Sequence, residues 1–291
     1  MENKTYAGIG SKKADPIICS KAQRLGYYLA NRNWTLYSSH APNFEVNLEL
    51  GCDASEKGEK LIFLPYPGYN GSSSQISTPK EFAYQIAQEL YPEWNSLNSQ
   101  NKSIIANVCH QILGENLASP VSFVLSWTED GSQNFHEVPF DSGPVYFGIK
   151  LASSLGIPVF NLGSHTWRDR FIAHLENFEK NINPITRVGH VDEPIDTYIG
   201  RKCYGFKESI FANPYKLSEN NIESSLKSYY ADISGNAVKM HLAKLLKGKS
   251  FGCYCRKTTE TTPLCHGDLL VAIAENKNID AILNGSQIKL I

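Results

Sequence analysis

The chain has 291 residues, 42% hydrophobic, 20% charged and 11% aromatic, the composition of an ordinary globular protein long enough for two domains. With 28 Lys and Arg against 29 Asp and Glu, its net charge is -1. It lacks the basic excess that favours phosphate-backbone binding, so nucleic acid is not the expected partner. MENKTYAGIGSKK has no apolar signal-peptide core and no run of about 18 apolar residues occurs, so membrane association is not expected and the cytoplasm is the expected location.

Along the chain, strand and helix signals alternate. TYAGIG (5–10) reads as a strand, 16–31 as a helix, WTLYS (34–38) as a strand and LIFLP (61–65) as another. Helices are predicted over 79–91, with Phe82, Ile86 and Leu90 on one stripe, and over 94–113. The apolar run VSFVLSW (121–127), a helix over 146–155 and IPVFNL (157–162) continue the rhythm of strands buried on both faces. A helix over 167–178 completes a Rossmann-like α/β domain, residues 1–180, with a doubly wound, mostly parallel sheet. Residues 181–196 carry two prolines and lose periodicity, which predicts a linker. Residues 197–291 then read as a smaller α+β domain: YIGR, the FANPY loop, helices over 222–230 and 238–246, the strand FGCYC and a last helix from Asp268.

Polar and small residues gather where the first domain's strands end. Gly8, Gly10, Ser11 and Lys12 follow a strand and precede a helix, a turn that either cradles a phosphate or simply packs tightly. Ser38, Ser39 and His40 end the second strand, Trp127, Thr128 and Asp130 the fourth, and Ser142, Gly143 and Val145 open the next helix. Open α/β sheets bind ligands along that edge. Glu45 is either a general acid or base or an ordinary surface carboxylate favoured by a helix dipole. Tyr66, Tyr69 and Trp127 either stack on a base or close the core, and His40 is the better polar contact.

Together YAGIGSKK, W-T-L-x-S-S-H-A-P, LPYPGYNG, YPEWNSLN, SWTEDG and S-G-P with GIPVFNL resemble the phage branch of the SLOG superfamily, over roughly residues 5–163. The resemblance, to DNA-processing-protein-A-like and cytokinin-activating LOG proteins, implies a Rossmann-like fold binding a nucleotide or nucleotide-derived ligand, and a homo-oligomer. This chain has Ser38-Ser39-His40-Ala41-Pro42 where family members usually show S-G-G-A-P, and Ser142-Gly143-Pro144-Val145 for G-G-T-G. No Glu lies between Gly143 and Leu162, where the LOG branch carries its catalytic one.

In the second half, YIGR, FANPY, the C-x-C of FGCYC and CHGD resemble a small phage and bacterial domain of unknown function. Here Cys253 and Cys255 share a strand face with Phe251, and burial as small hydrophobes competes with a zinc site of Cys253, Cys255, Cys265 and His266. Seven cysteines without framework spacing are expected as reduced thiols, and the single residue between Cys253 and Cys255 disfavours zinc. Alternatively Cys265 and His266 open a helix whose dipole attracts an anion, with Arg201 and Asn213 in the same pocket. The insert 256–264 reads as a flap.

Three functions follow as expectations. The favoured one is binding without turnover of a small nucleotide ligand, a cyclic nucleotide or an ADP-ribose derivative, with no cofactor. The resemblance extends this to a phage protein that sequesters an immune signalling nucleotide and so blunts host defence. The second is a nucleotide-processing enzyme with Glu45, Asp130 or His266 in acid/base roles. The third is a single-stranded DNA-binding recombination mediator, which net charge discourages.

Overall fold

In the computed structural model, residues 4–139, 143–180, 184–216, 221–255 and 264–283 are described. The chain divides into two compact units, Met1–Ser153 with Ile157–Asn181, and Ser154–Gly156 with Ile182–Ile291.

The first unit is a Rossmann-like α/β fold. Strands β1 (Thr5–Gly10), β2 (Thr35–Ser38), β3 (Glu59–Ile62), β4 (Phe123–Trp127) and β5 (Val159–Asn161) form one sheet in the order β3-β2-β1-β4-β5. All four pairings are parallel. The strand expected over 61–65 lies earlier, at Glu59–Ile62, and beyond it Leu64 makes only an isolated bridge to Ser77.

Strand alternation sorts the helices. Tyr6, Leu36, Phe123, Leu125 and Phe160 form a core with α1 (Pro16–Ala30), α2 (Phe44–Asp53) and α6 (Trp167–Glu179). On the opposite face, Gly148 of α5 (Gly143–Ser154) approaches Ile9 and Val108 of α4 (Ser99–Leu113). The stripe of α3 (Glu81–Leu90) is Ala83, Ile86, Ala87 and Leu90, with Phe82 half-buried at its edge. α1 starts where Asp15 caps the Ile18 amide at 2.8 Å and Pro16 presets the first turn. It lies backbone to backbone with α2: a Cβ on Gly51 would sit 1.9 Å from the Gln23 carbonyl oxygen.

The second unit has a three-stranded parallel sheet in the order β6-β8-β7, from β6 (Arg187–His190), β7 (Thr197–Tyr198) and β8 (Ser250–Cys253). Helices α7 (Ile222–Gly235), α8 (Ala237–Lys244), α9 (His266–Ala274) and α10 (Ile279–Leu283) accompany it. The stretch expected as a linker therefore holds β6, a strand that four residues sufficed to make and that alternation over so short a span could not announce. α9 begins at His266, two residues before the expected start, and a short α10 follows it. Among the described residues, no helix is long and apolar enough to cross a membrane.

Candidate functional site

Strand order reverses between β1 and β4, and there, at the carboxyl ends, the first unit opens a cleft of about 610 Å³. In open α/β sheets this switch point is where ligands sit. One wall is the turn Gly10–Lys13, another the loop after β4 with Trp127, Thr128 and Asp130, and a third the start of α5 with Gly143 and Val145. α4 supplies the fourth wall through Ile104, Asn107, Val108 and Gln111, one face at helical spacing.

Glu45 decides the cleft's chemistry. Expected in one reading as a surface carboxylate, it is only 3% exposed and lines the cleft. The Ser39 amide and hydroxyl donate to its Oε2 at 2.8 and 2.7 Å, and Gln111 Nε2 at 3.2 Å. Burial raises its pKa from 4.5 to about 7; the Ser39 hydrogen bonds oppose the rise and neighbouring Glu49 adds to it. A carboxyl poised near neutrality can give or take a proton at physiological pH.

Behind Glu45 the network continues. Ser38 Oγ lies 3.3 Å from Glu45 Oε2 and donates to Glu49 Oε1 at 2.6 Å, while His40 Nδ1 meets Glu49 Oε2 at 2.6 Å. His40, Ser38 and Tyr66 stand outside the cleft lining, whereas Ser39, Tyr69 and Trp127 are part of it. His40 has φ 62°, the left-handed conformation that glycine favours. The loop thus keeps a glycine-like turn with a histidine in it, and the imidazole is anchored on Glu49.

The other expected residues divide clearly. Gly8 and Gly10 serve packing: a Cβ on them would sit 2.5 Å from Leu48 and 2.3 Å from Phe44 of α2. Gly10 also lines the cleft with Ser11, Lys12 and Lys13, while the α1 terminus is already met by Asp15. Ser11 braces this turn, its amide donating to the Trp127 carbonyl at 3.1 Å and its hydroxyl accepting from the Lys13 amide at 3.2 Å. Asp130 accepts from Thr128 Oγ1 at 2.6 Å and from Ser132 Oγ at 2.7 Å. Partial burial pushes its pKa up, but these hydrogen bonds outweigh that and hold it below the usual range. It therefore shapes its loop as an ionised carboxylate. Ser142 lies outside the described residues.

Asn107 and Gln111 are the residues that sequence reasoning missed. Both are buried; Asn107 Nδ2 donates to the Phe63 carbonyl at 2.6 Å and Gln111 Nε2 to the Gly8 carbonyl at 3.0 Å. The available signal was two amides four residues apart on the apolar stripe of a helix, where each must find a partner.

Arg201, Asn213, Cys253, Cys255, Cys265 and His266 line a cleft of about 460 Å³ within the second unit. Arg201 Nη1 donates to the Asn213 carbonyl at 3.4 Å, and Asn213 Nδ2 to Ser225 Oγ at 3.0 Å. β8 stops at Cys253, so Cys255 does not continue the strand face as expected but lies, exposed, in the turn beyond. His266 is buried, with Nε2 3.0 Å from the Ile199 carbonyl and its ring edge-on to Tyr229. The Cys253 thiol, pulled down by Cys255 but pushed up by Cys265 and burial, is raised to about 11. Cys255, pushed up by Cys253 against the pull of His266, is raised to about 12. The expected flap, residues 256–264, lies outside the described residues apart from Leu264.

The fold and first cleft define a Rossmann-like α/β protein with a switch-point cleft, joined to a small parallel-sheet unit. Residues 184–276 match a family model, Domain of unknown function (DUF4326), which spans most of the second unit. No curated protein and no solved structure matches the chain.

Proposed function

We propose that the first unit binds a nucleotide-derived small molecule, a cyclic nucleotide or an ADP-ribose derivative, in its switch-point cleft. The observation that carries this reading is the cleft's position between β1 and β4, with Lys12 and Lys13 on one side and the start of α5 on the other. Two lysines and a helix N-terminus suit phosphates, Tyr69, Tyr91 and Trp127 offer apolar surface for a base, and its volume lies within the range of about 300–1,000 Å³ usual for small-molecule sites. The likeness of the first unit's motifs to the phage branch of the SLOG superfamily agrees with it. On this reading the ligand is a signalling nucleotide sequestered from a host defence system by a homo-oligomer.

Glu45 favours a second reading, turnover of the same ligand. All the hydrogen bonds to its carboxylate described above end on Oε2, which leaves Oε1 for the ligand. Through Ser38 and Glu49 it also has a path for a proton to the partly exposed His40. An acid/base role in breaking a glycosidic or phosphate bond follows from that poise. Asp130 is committed to its loop, so Glu45 carries this reading.

One experiment tests both. The protein is incubated with cyclic nucleotides and ADP-ribose derivatives, freed of unbound ligand and heat-denatured, and the released molecules are identified by mass spectrometry. Intact ligand supports holding. Products of altered mass, replaced by intact ligand in Glu45→Gln, support turnover. No capture, with salt-sensitive binding of single-stranded DNA instead, overturns both in favour of a recombination mediator.

A further inference from the structure

Three thiols and an imidazole meet where β8 ends and α9 begins. Sγ of Cys253, Sγ of Cys255 and a ring nitrogen of His266 all lie within 4.8 Å of one another. Cys265 Sγ lies 3.9 Å from Cys253 Sγ. With zinc–sulfur bonds of about 2.3 Å, the corners of a tetrahedral site stand roughly 3.8 Å apart, so the cluster closes around an ion with small side-chain movements.

His266 is oriented as a ligand. Its Nε2 faces the Ile199 carbonyl, an acceptor, at 3.0 Å, so Nε2 is the donor and in the neutral imidazole Nδ1 is the nitrogen with the lone pair. A backbone carbonyl on the far nitrogen is the outer contact that metal-binding histidines generally show. Cys265 and His266 are adjacent in sequence, and only His266 needs to ligate. Likewise the short C-x-C spacing is accommodated because Cys255 sits in the turn after β8 rather than on the strand.

We propose that Cys253, Cys255 and His266 form a zinc site in the second unit, with its fourth position open to the cleft lined by Arg201 and Asn213. Two thiolates and one imidazole select a borderline-soft, tetrahedral ion over calcium or magnesium, which require oxygen. All three ligands line that cleft, so a water or an anionic group of a bound ligand takes the fourth place. Cys265 is an outer thiol against Cys253 and leaves the ligand count at three.

The test is cobalt titration of the reduced, metal-free full chain, followed by displacement with zinc. The expected result is one tetrahedral cobalt per chain, with thiolate-to-metal charge transfer that falls by about half in Cys253→Ser and in Cys255→Ser. Zinc affinity should fall further in His266→Ala, which removes a ligand, than in Cys265→Ser, which removes an outer contact at a cost of about 10-fold. Because the buried variants can misfold, zinc protection of wild-type Cys253 and Cys255 from alkylation, read by peptide mass spectrometry, gives a second readout. Absence of a cobalt spectrum and of protection overturns the proposal. So does an equal loss of charge transfer in Cys265→Ser, or a Cys253–Cys265 disulfide that binds no metal after reduction.

Discussion

The two clefts are built from opposite materials. In the first unit the buried titratable group is a hard carboxylate, Glu45, whose character comes from distant parts of the chain: Gln111 reaches it from α4. In the second, soft sulfur and imidazole come from residues close in sequence, Cys253, Cys255, Cys265 and His266. A carboxylate is ordinary wherever water reaches it and becomes useful only when tertiary burial removes that water. Thiols and imidazole carry their metal affinity in their own chemistry, so the fold has only to bring them together.

The sharpest way to break this comparison is to unpack the first unit. Gly51→Ala drives a Cβ into the Gln23 carbonyl, and should cost about 3 kcal/mol in chemical denaturation of that unit, while cobalt binding by the second cleft persists. A loss of cobalt binding would show that the second cleft depends on the first unit's fold.

Next comes the pH dependence. Because burial raises Glu45 from 4.5 to about 7, the folded state holds a proton that the unfolded state has already lost in that window. Stability contributed by the group is therefore full below pH 4.5 and falls as pH rises to about 7, by roughly 3 kcal/mol in all. Glu45→Gln should abolish this fall and be the more stable protein at pH 8, measured by urea unfolding across pH. A wild-type profile without that slope would return Glu45 to the ordinary carboxylates.

Gln111→Leu should cost about 2 kcal/mol, because the Gly8 carbonyl and Glu45 each lose a donor. With one hydrogen bond fewer to its charged form, Glu45 should titrate still higher, and the fall in stability should extend to higher pH. The smallest effect is expected in the second unit. Tyr229→Phe removes the 2.8 Å hydrogen bond to the Phe211 carbonyl and should cost about 1 kcal/mol, measured by thermal unfolding, with zinc affinity little changed.

By itself the sequence determined the alternation of strands and helices, the parallel sheet and the strand ends at which the first cleft opens. Apolar runs and turn residues are local signals, and Tyr6, Phe123 and Phe160 read as core because nothing else suits them. It also named Glu45 and the cysteines as chemistry-bearing residues. Only the tertiary structure decided what they are. That Glu45 is buried, that His40 faces Glu49 instead of the cleft, and that Asp130 is spent on its own loop depend on contacts between loops whose spacing along the chain says nothing about distance. The same holds for β6, a strand of four residues recognised only by its pairing with β8, and for the C-x-C turn, which leaves the strand after Cys253. Periodicity records which face of an element meets the core; hydrogen-bond partners and electrostatic environment arise only when elements distant in sequence meet.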